Sequence, residues 1–204
     1  MLNYLLNYFF AWRVKRAMRS YHAYPADKTA VVFLNVQNAF MKDMPNLVQR
    51  LASLAEFARE KKFHVIHAPM SATSEFAFPT PAHVEIERLL TRDLDGPTVV
   101  PAVGPQPSDV TLPARSTLSV FGQPKLDELI KTSGLEHLIF AGPLADFTVD
   151  SSLRDAVQRD CHVTVMSDCI SATSESALNL ELRYTMPRYA HLITNLKRLK
   201  KLSV

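Results

Sequence analysis

HLIFAGPLADFTVDSSLRDAVQRDCHVTVMSD, residues 137–168, is the stretch of this chain that decides its fold. The apolar run 137–141 is closed by Gly142 and Pro143, which predicts a buried strand ending at a sharp break. Apolar residues then recur at helical spacing, at Val149, Leu153, Ala156 and Val157. The β-branched run 161–166 predicts a second buried strand. Strand, helix and strand within about thirty residues form a parallel crossover unit.

The first turn of this predicted helix is where a parallel sheet concentrates chemistry, because free backbone N–H groups and the helix dipole point there. Thr148 lies in that turn, and Asp146 is placed to cap the helix N-terminus. A functional interpretation therefore depends on what the side chain of Thr148 can do.

Strand and helix signals alternate along the rest of the chain. Further strands are predicted at residues 30–36, 65–66 and 191–194, and helices at 42–62, 83–92 and 127–133. Residues 71–107 contain six prolines, which break this region into irregular segments around one short helix. The alternation predicts an α/β domain with a mainly parallel sheet.

Ordered motifs give the chain a resemblance to a known family. The run from Gly142 to Thr148-Val149, followed by Ser167-Asp168, is similar to the Gly-x-x-x-x-x-Cys-Val signature of the isochorismatase-like cysteine hydrolases. Segments similar to the family's other strands and its last helix follow in order at residues 29–40, 63–69, 109–121 and 175–194. The resemblance implies a Rossmann-like open sheet of about six strands in the order 3-2-1-4-5-6, with helices on both faces, in a homo-oligomer.

The resemblance also implies a reaction site, but its residues differ here. In the family, an aspartate after strand 1 takes a proton from a cysteine after strand 4, and a lysine after strand 3 helps to hold the thiolate and substrate. The matching positions are Asn35, Thr148 and Arg115. An amide cannot act as a general base, and an alcohol ionises far less readily than a thiol with a pKa of about 8.5. Arg115 keeps the positive charge but does not give up its proton.

Other groups are weaker candidates for the chemistry. Cys169 follows Ser167-Asp168 at the carboxyl end of a strand and is a better alternative nucleophile than Cys161, which opens a strand. Asp146, Asp150 and Asp168 are nearby carboxylates, but Asp150 lies about 200° around the helix from Thr148.

Neither a metal site nor a cofactor site is expected. The segment after strand 1 contains Asp43 but no histidine, and His64 and His67 project from opposite faces of one strand. No phosphate-binding glycine loop is present among the five glycines.

Composition is ordinary for a globular protein, with 47% hydrophobic and 21% charged residues in 204. Two cysteines do not make a disulfide framework.

The charge is unevenly distributed along the chain. Residues 1–26 carry +4 and residues 197–204 carry +4, whereas residues 27–196 carry −5, from 15 bases and 20 acids. An acidic domain with basic ends does not predict nucleic-acid binding. The predicted organisation is an N-terminal segment 1–26, a domain 27–196 and a basic C-terminal tail 197–204.

The N-terminal segment has the pattern of an amphipathic helix. Its apolar stripe comprises Leu2, Leu5, Leu6, Phe9, Phe10, Val14, Ala17 and Met18. The apolar run is about twelve residues, too short for a bilayer span of about twenty. The stripe fits a membrane surface, a partner protein or the domain's own sheet, and its basic, acid-free character also fits a mitochondrial presequence.

Two functional hypotheses follow. The first is a non-catalytic relative of the hydrolases, which its site residues predict is not an enzyme. It would be a docking subunit of a larger, membrane-associated mitochondrial assembly or, alternatively, a cytoplasmic protein. Its partners would be proteins bound through the N-terminal helix and the basic C-terminus, in a homo- or hetero-oligomer. The second is a hydrolase of a small amide or vinyl ether, with Thr148 or Cys169 as an atypical nucleophile and Arg115 binding an anion. A protein that binds an anion at Arg115 without turnover is a third.

Overall fold

The computed structural model describes residues 24–73 and 77–202. Within these ranges, six parallel strands form one sheet in the order β3-β2-β1-β4-β5-β6, which confirms the predicted topology. The strands are β1 Thr29–Leu34, β2 His64–Ala68, β3 Val110–Thr111, β4 His137–Gly142, β5 His162–Ile170 and β6 Leu192–Thr194. All carboxyl ends of the strands therefore meet at one edge of the sheet.

Helices connect the strands and lie on both faces of the sheet. They are α1 Asn38–Met41, α2 Pro45–Glu60, α3 Pro81–Thr91, α4 Pro124–Ser133, α5 Asp150–Val157, α6 Glu175–Leu180 and α7 Leu196–Leu202. Proline stands in the first turn of α2, α3 and α4, where its missing N–H has no helical acceptor to lose. Gly134 ends α4 in the left-handed conformation, with φ 63°.

The core consists of two apolar layers, one on each side of the sheet. Alternate residues of β1 face opposite layers, as the period of a strand requires. Val32 and Leu34 pack with α4 and α5, whereas Val31 and Phe33 pack with α2 and α7. Both faces of the central strands are therefore buried, which explains why these strands are continuous apolar runs.

A third, smaller cluster lies at the carboxyl edge of the sheet. It contains Phe40, Met70, Ile86 and Leu90, and Leu144 packs against it. Phe40 follows β1, Met70 follows β2 and Leu144 follows β4, so this apolar cover spans the ends of the three central strands.

The turn after β4 differs from the predicted helix start. Residues 145–149 form a π-helical turn, and regular helix begins at Asp150. Asp146 does not cap the helix; its carboxylate accepts hydrogen bonds from the backbone N–H of Thr173, at 3.2 Å, and from the Thr173 hydroxyl. Gly142, with φ 134°, is required because a Cβ there would collide with the Leu34 carbonyl oxygen.

The basic C-terminal segment packs onto the domain. Leu199 of α7 is fully buried, and Lys200 Nζ lies 5.7 Å from the centroid of the Phe57 ring. The predicted amphipathic helix lies outside the described residues, apart from the short link 24–26. No helix in the ranges 24–73 and 77–202 is long and apolar enough to cross a bilayer.

Candidate active site

Asn35, Arg115 and Thr148 lie side by side at the carboxyl edge of the sheet. Asn35 directly follows β1, and its φ of 54° is in the left-handed region that asparagine tolerates better than most residues. Thr148 lies in the π-helical turn after β4, and Arg115 in the loop after β3. These three residues, of which Asn35 and Thr148 are 113 positions apart in the sequence, thus form one polar cluster within apolar surroundings.

A chain of hydrogen bonds joins the three side chains. Arg115 Nη2 donates to Asn35 Oδ1 at 2.9 Å, and Asn35 Nδ2 donates to Thr148 Oγ1 at 2.8 Å. A guanidinium can only donate, so the amide oxygen of Asn35 must face Arg115 and its NH₂ group must face Thr148. The Thr148 hydroxyl hydrogen is therefore left to the backbone carbonyls of Leu144, at 3.3 Å, and Pro143, at 3.4 Å.

The network is closed to solvent and lacks a proton acceptor. Asn35 and Thr148 have no exposed surface, and Arg115 is 2% exposed. Among residues 24–73 and 77–202, no carboxylate or imidazole is a hydrogen-bond partner of Thr148. Neither an amide nor a backbone carbonyl can take the hydroxyl proton at neutral pH.

Arg115 is a buried cation that has no acidic partner among residues 24–73 and 77–202. Its Nη1 donates to the carbonyl oxygens of Ala68, at 2.7 Å, and Pro69, at 3.2 Å. Its Nε–H is buried and has no partner in the described part of the chain. Burial lowers the pKa of the guanidinium to about 9, so the group still carries its charge at neutral pH.

Gln37 is a residue of the site whose role was not predicted from the sequence. Its buried side chain accepts from Met70 N at 2.8 Å and donates to Met70 O at 3.0 Å, joining the ends of β1 and β2. It also donates to Pro97 O at 2.9 Å, which ties the loop before β3 to the edge of the sheet. The sequence feature that could have indicated this role is the position of Gln37, two residues after Asn35, where the chain leaves a buried strand.

Cys169 does not join this network. Its thiol lies in the layer that packs with α2, and burial, with the neighbouring Asp168 carboxylate, raises its pKa far above the usual range. Cys161, at the opposite end of β5, has its pKa raised to about 11 by burial. Asp150 pairs with Arg154, at 2.8 Å, and does not contact Thr148. Of the candidate nucleophiles, Thr148 is therefore the one that the fold places next to Asn35 and in the network with Arg115.

His67 has a structural role that explains its burial. Its Nε2 lies 3.1 Å from Asp109 Oδ2, and the same oxygen accepts from Arg59 Nη2 at 2.6 Å. These contacts hold the loop before β3 against α2 and β2. In the described ranges, no group of three His, Cys, Asp or Glu side chains is arranged to hold a metal ion.

A cavity of about 240 Å³ lies beside the network, between α1 and the loop 93–100. Its lining includes Asn38, Lys42, Asp93 and Asp95, but not Asn35, Arg115 or Thr148. Asn35, Arg115 and Thr148 are buried, and the apolar cover formed by the cluster around Phe40 and Met70 lies at the same edge of the sheet. A substrate can therefore reach Thr148 only if part of that cover moves.

Comparison with known proteins adds independent information. The isochorismatase domain family matches residues 29–195. A ureidoacrylate amidohydrolase from Methylorubrum extorquens is 30% identical over 92 residues, 45% of this chain and 37% of that relative's length. A cysteine hydrolase from Pseudomonas syringae has a TM-score of 0.74 at 19% identity, over 88% of this chain and 95% of its own. An N-carbamoylsarcosine amidase from Thermoplasma acidophilum has a TM-score of 0.67 at 19% identity, covering 82% and 95%.

These comparisons correct the first functional hypothesis. The relatives are enzymes that hydrolyse small molecules, so the prediction of a non-catalytic docking subunit, and with it the prediction that the chain is not an enzyme, is wrong. The error came from taking the loss of three family residues as the loss of all activity. The alternative, a hydrolase with an atypical nucleophile, agrees better with the relatives. The match over residues 29–195 shows that this chain belongs to the isochorismatase domain family.

Proposed function

We propose that this chain is a hydrolase that cleaves the C–N bond of a small amide, with Thr148 as the nucleophile. The observation that carries the proposal is the hydrogen-bonded chain Arg115–Asn35–Thr148, at the three positions where the family's reaction site is expected. The relatives named as amidohydrolase and amidase support the amide class.

The geometry assigns a role to each side chain. The charge of Arg115 polarises the Asn35 amide, and Asn35 Nδ2 then offsets the negative charge left on Thr148 Oγ1 as its proton moves to the substrate nitrogen. Thr148 Oγ1 attacks the substrate carbonyl and the C–N bond breaks. The hydroxyl proton leaves with the amine, because none of the described hydrogen-bond partners of Thr148 can accept it. Water then hydrolyses the Thr148 ester to release the acid and restore the hydroxyl.

This mechanism lacks a protein general base, which typically contributes about 10²–10⁴-fold to a rate. We therefore expect turnover slower by about this factor than that of a relative with the family's cysteine and aspartate. Substrates with a basic leaving nitrogen should be preferred, since that nitrogen must take the proton.

Substrate entry requires the apolar cover to open. Thr148 is fully buried beneath Leu144 and the cluster that includes Met70 and Ile86. α3 contributes Ile86 and Leu90 and follows residues 71–80, which contain no regular helix or strand where described, so α3 is the element best placed to move.

The test is hydrolysis of a panel of small ureido, carbamoyl and aromatic amides by the purified full chain and by Thr148→Ala. Thr194→Ala is a matched control, because Thr194 is a buried threonine at the end of β6, outside the network. Wild type and the control should hydrolyse at least one amide at equal rates, and Thr148→Ala should lose at least about 10²-fold. Equal rates for all three proteins would refute the assignment of Thr148.

A further inference from the structure

A narrow cleft borders Arg115 on the side where α4 begins. Its lining includes Leu112, Arg115, Gln123, Lys125 and Leu126. Leu112 and Leu126 are buried and supply an apolar floor, whereas Lys125 is exposed at the mouth. The cleft thus combines a dry interior with two cationic side chains.

The guanidinium in this cleft has an unused donor. Both terminal nitrogens of Arg115 donate to oxygens, those of Ala68, Pro69 and Asn35. The buried Nε–H has no partner, and no described acid lies within ion-pairing distance of Arg115. A buried charge without a counter-ion is costly, so an anion next to Nε would offset a penalty that the protein alone leaves uncompensated.

The N-terminus of α4 provides a second, independent set of donors. This helix has 10 residues, and no side chain caps its N-terminus. Gln123, at the cap position, instead donates its amide to Ala114 O at 2.9 Å. The first-turn N–H groups of Lys125 and Leu126 lack helical acceptors, and the helix dipole places partial positive charge at the same point.

We propose that this cleft binds a small oxyanion, a carboxylate or a phosphate. The Nε–H of Arg115, the first-turn N–H groups of α4 and the ammonium of Lys125 are its donors. The cleft has no water-sized space in the present conformation. An oxyanion can therefore enter only if the lining around Leu112 and Leu126 moves apart and Lys125 leaves its exposed ion pair with Glu128, where Nζ lies 3.1 Å from the carboxylate. A surface pair of this kind costs little to break.

The site differs from the proposed reaction centre in the atoms that it uses. Arg115 contacts Asn35 through Nη2, whereas the anion would contact Nε. Binding stabilises the folded chain by compensating Arg115, and does so whether or not Thr148 reacts. If no anion binds in the cleft, the proposal that Thr148 is a nucleophile still stands. If Thr148 does not react, the proposal that the cleft binds an anion still stands.

The test is thermal unfolding and calorimetric titration of the full chain with sodium phosphate and with sodium acetate, against sodium chloride at equal ionic strength. A saturable rise in Tm with phosphate or acetate, beyond that with chloride, is expected. Lys125→Gln should raise the apparent Kd roughly tenfold, because a charge-assisted donor is lost. Lys131→Gln, an equal charge change in the last turn of the same helix, should leave the Kd unchanged.

Two further variants make the result decisive. Lys125→Glu should abolish the response to both oxyanions, and Thr148→Ala should retain it. Arg115→Gln, if it folds, should abolish it as well. The proposal is overturned if chloride acts as strongly as the oxyanions, or if Lys125→Gln and Lys125→Glu respond as wild type does.

Discussion

The two edges of the sheet carry polar clusters of opposite character. At the carboxyl edge lie an amide, a hydroxyl and one permanent cation, Asn35, Thr148 and Arg115, joined by hydrogen bonds. At the amino edge lie two stacked imidazoles, His137 and His162, with ring centroids 4.9 Å apart, followed by a third from His191. In the described part of the chain, the network of Asn35, Thr148 and Arg115 includes no imidazole or carboxylate, whereas the cluster at the amino edge is built from imidazoles. The proposed reaction site and the imidazole cluster therefore lie at opposite edges of the sheet.

The tautomers at the amino edge follow from their partners. His191 Nδ1 accepts from Val163 N at 2.9 Å, so its Nε2 must carry the hydrogen in the neutral ring. That Nε2 lies 3.1 Å from His162 Nδ1, which therefore accepts. A proton added to His162 Nδ1 or to His191 Nδ1 would remove the acceptor of one of these hydrogen bonds, so both hydrogen bonds require neutral rings.

The largest expected effect comes from placing a titratable pair at the carboxyl edge. Asn35→Asp with Thr148→Cys restores the carboxylate and thiol that the family resemblance implies, at a site whose cation is already present. We expect amide hydrolysis to rise by about 10²–10⁴-fold and to become pH-dependent, because a general base and an ionisable nucleophile are gained. Steady-state rates from pH 5 to 9 measure this.

Each single variant is the control for that prediction. Asn35→Asp alone should give a smaller gain, since the alcohol stays hard to ionise. A double variant no faster than wild type on every amide of the panel would show that the buried edge cannot bind substrate.

The next effect concerns the turn that carries Thr148. Gly142→Ala should destabilise the fold by about 3 kcal/mol or more, because it adds strain at φ 134° to a collision with the Leu34 carbonyl. Gly134→Ala is the matched control: its φ is also positive, at 63°, but the space around it is open, so we expect only about 1 kcal/mol. Equal losses in urea unfolding would contradict the close approach of β4 to the end of β1.

The smallest effect comes from the amino edge. Burial, together with the neighbouring imidazoles, lowers the pKa of His191 to about 4, and burial also lowers the pKa of His137. The unfolded rings titrate near about 6.5, so below that pH the unfolded chain binds protons that the folded chain does not. This part of the stability is complete above about pH 6.5 and is lost as the pH falls towards 4.

Urea unfolding at pH 7 and pH 4.5 measures this loss, which we expect to be about 2 kcal/mol for these partly buried rings. Burial alone would raise the pKa of Asp109, but hydrogen bonds from Arg59, the Gln106 N–H and His67 lower it to about 2. The stability that this carboxylate contributes is therefore present at both pH values and is lost only below about pH 4. His191→Asn should reduce the difference between the two pH values. Unchanged stability across this window would show that the imidazoles are not held neutral.

The sequence predicted the sheet well, because buried parallel strands are continuous apolar runs and their connections follow a fixed hand. The family resemblance also identified the three residues that meet at the carboxyl edge, since each matches the position of a family site residue that follows a strand. Their hydrogen-bond order could not be predicted, because it depends on side-chain directions fixed only by tertiary packing. The same holds for the π-helical turn at Thr148 and for the links made by Gln37.

The functional prediction failed for a chemical reason. Asn35, Arg115 and Thr148 were compared with the family one at a time, and each lacked a capacity. The hydrogen bonds instead favour treating the three residues as one unit. In that unit Arg115 polarises the Asn35 amide, which donates to the oxygen of Thr148, the proposed nucleophile. The predicted roles of residues 1–26 and of the basic C-terminus in docking, and the mitochondrial placement, remain predictions.

The most direct test of the central claim is mass spectrometry of the protein, acid-quenched during hydrolysis of its best amide substrate. An acyl ester on the peptide that contains Thr148, absent from Thr148→Ala, is the predicted result. Product formation without an adduct on that peptide, or with the adduct on Cys169, would contradict it.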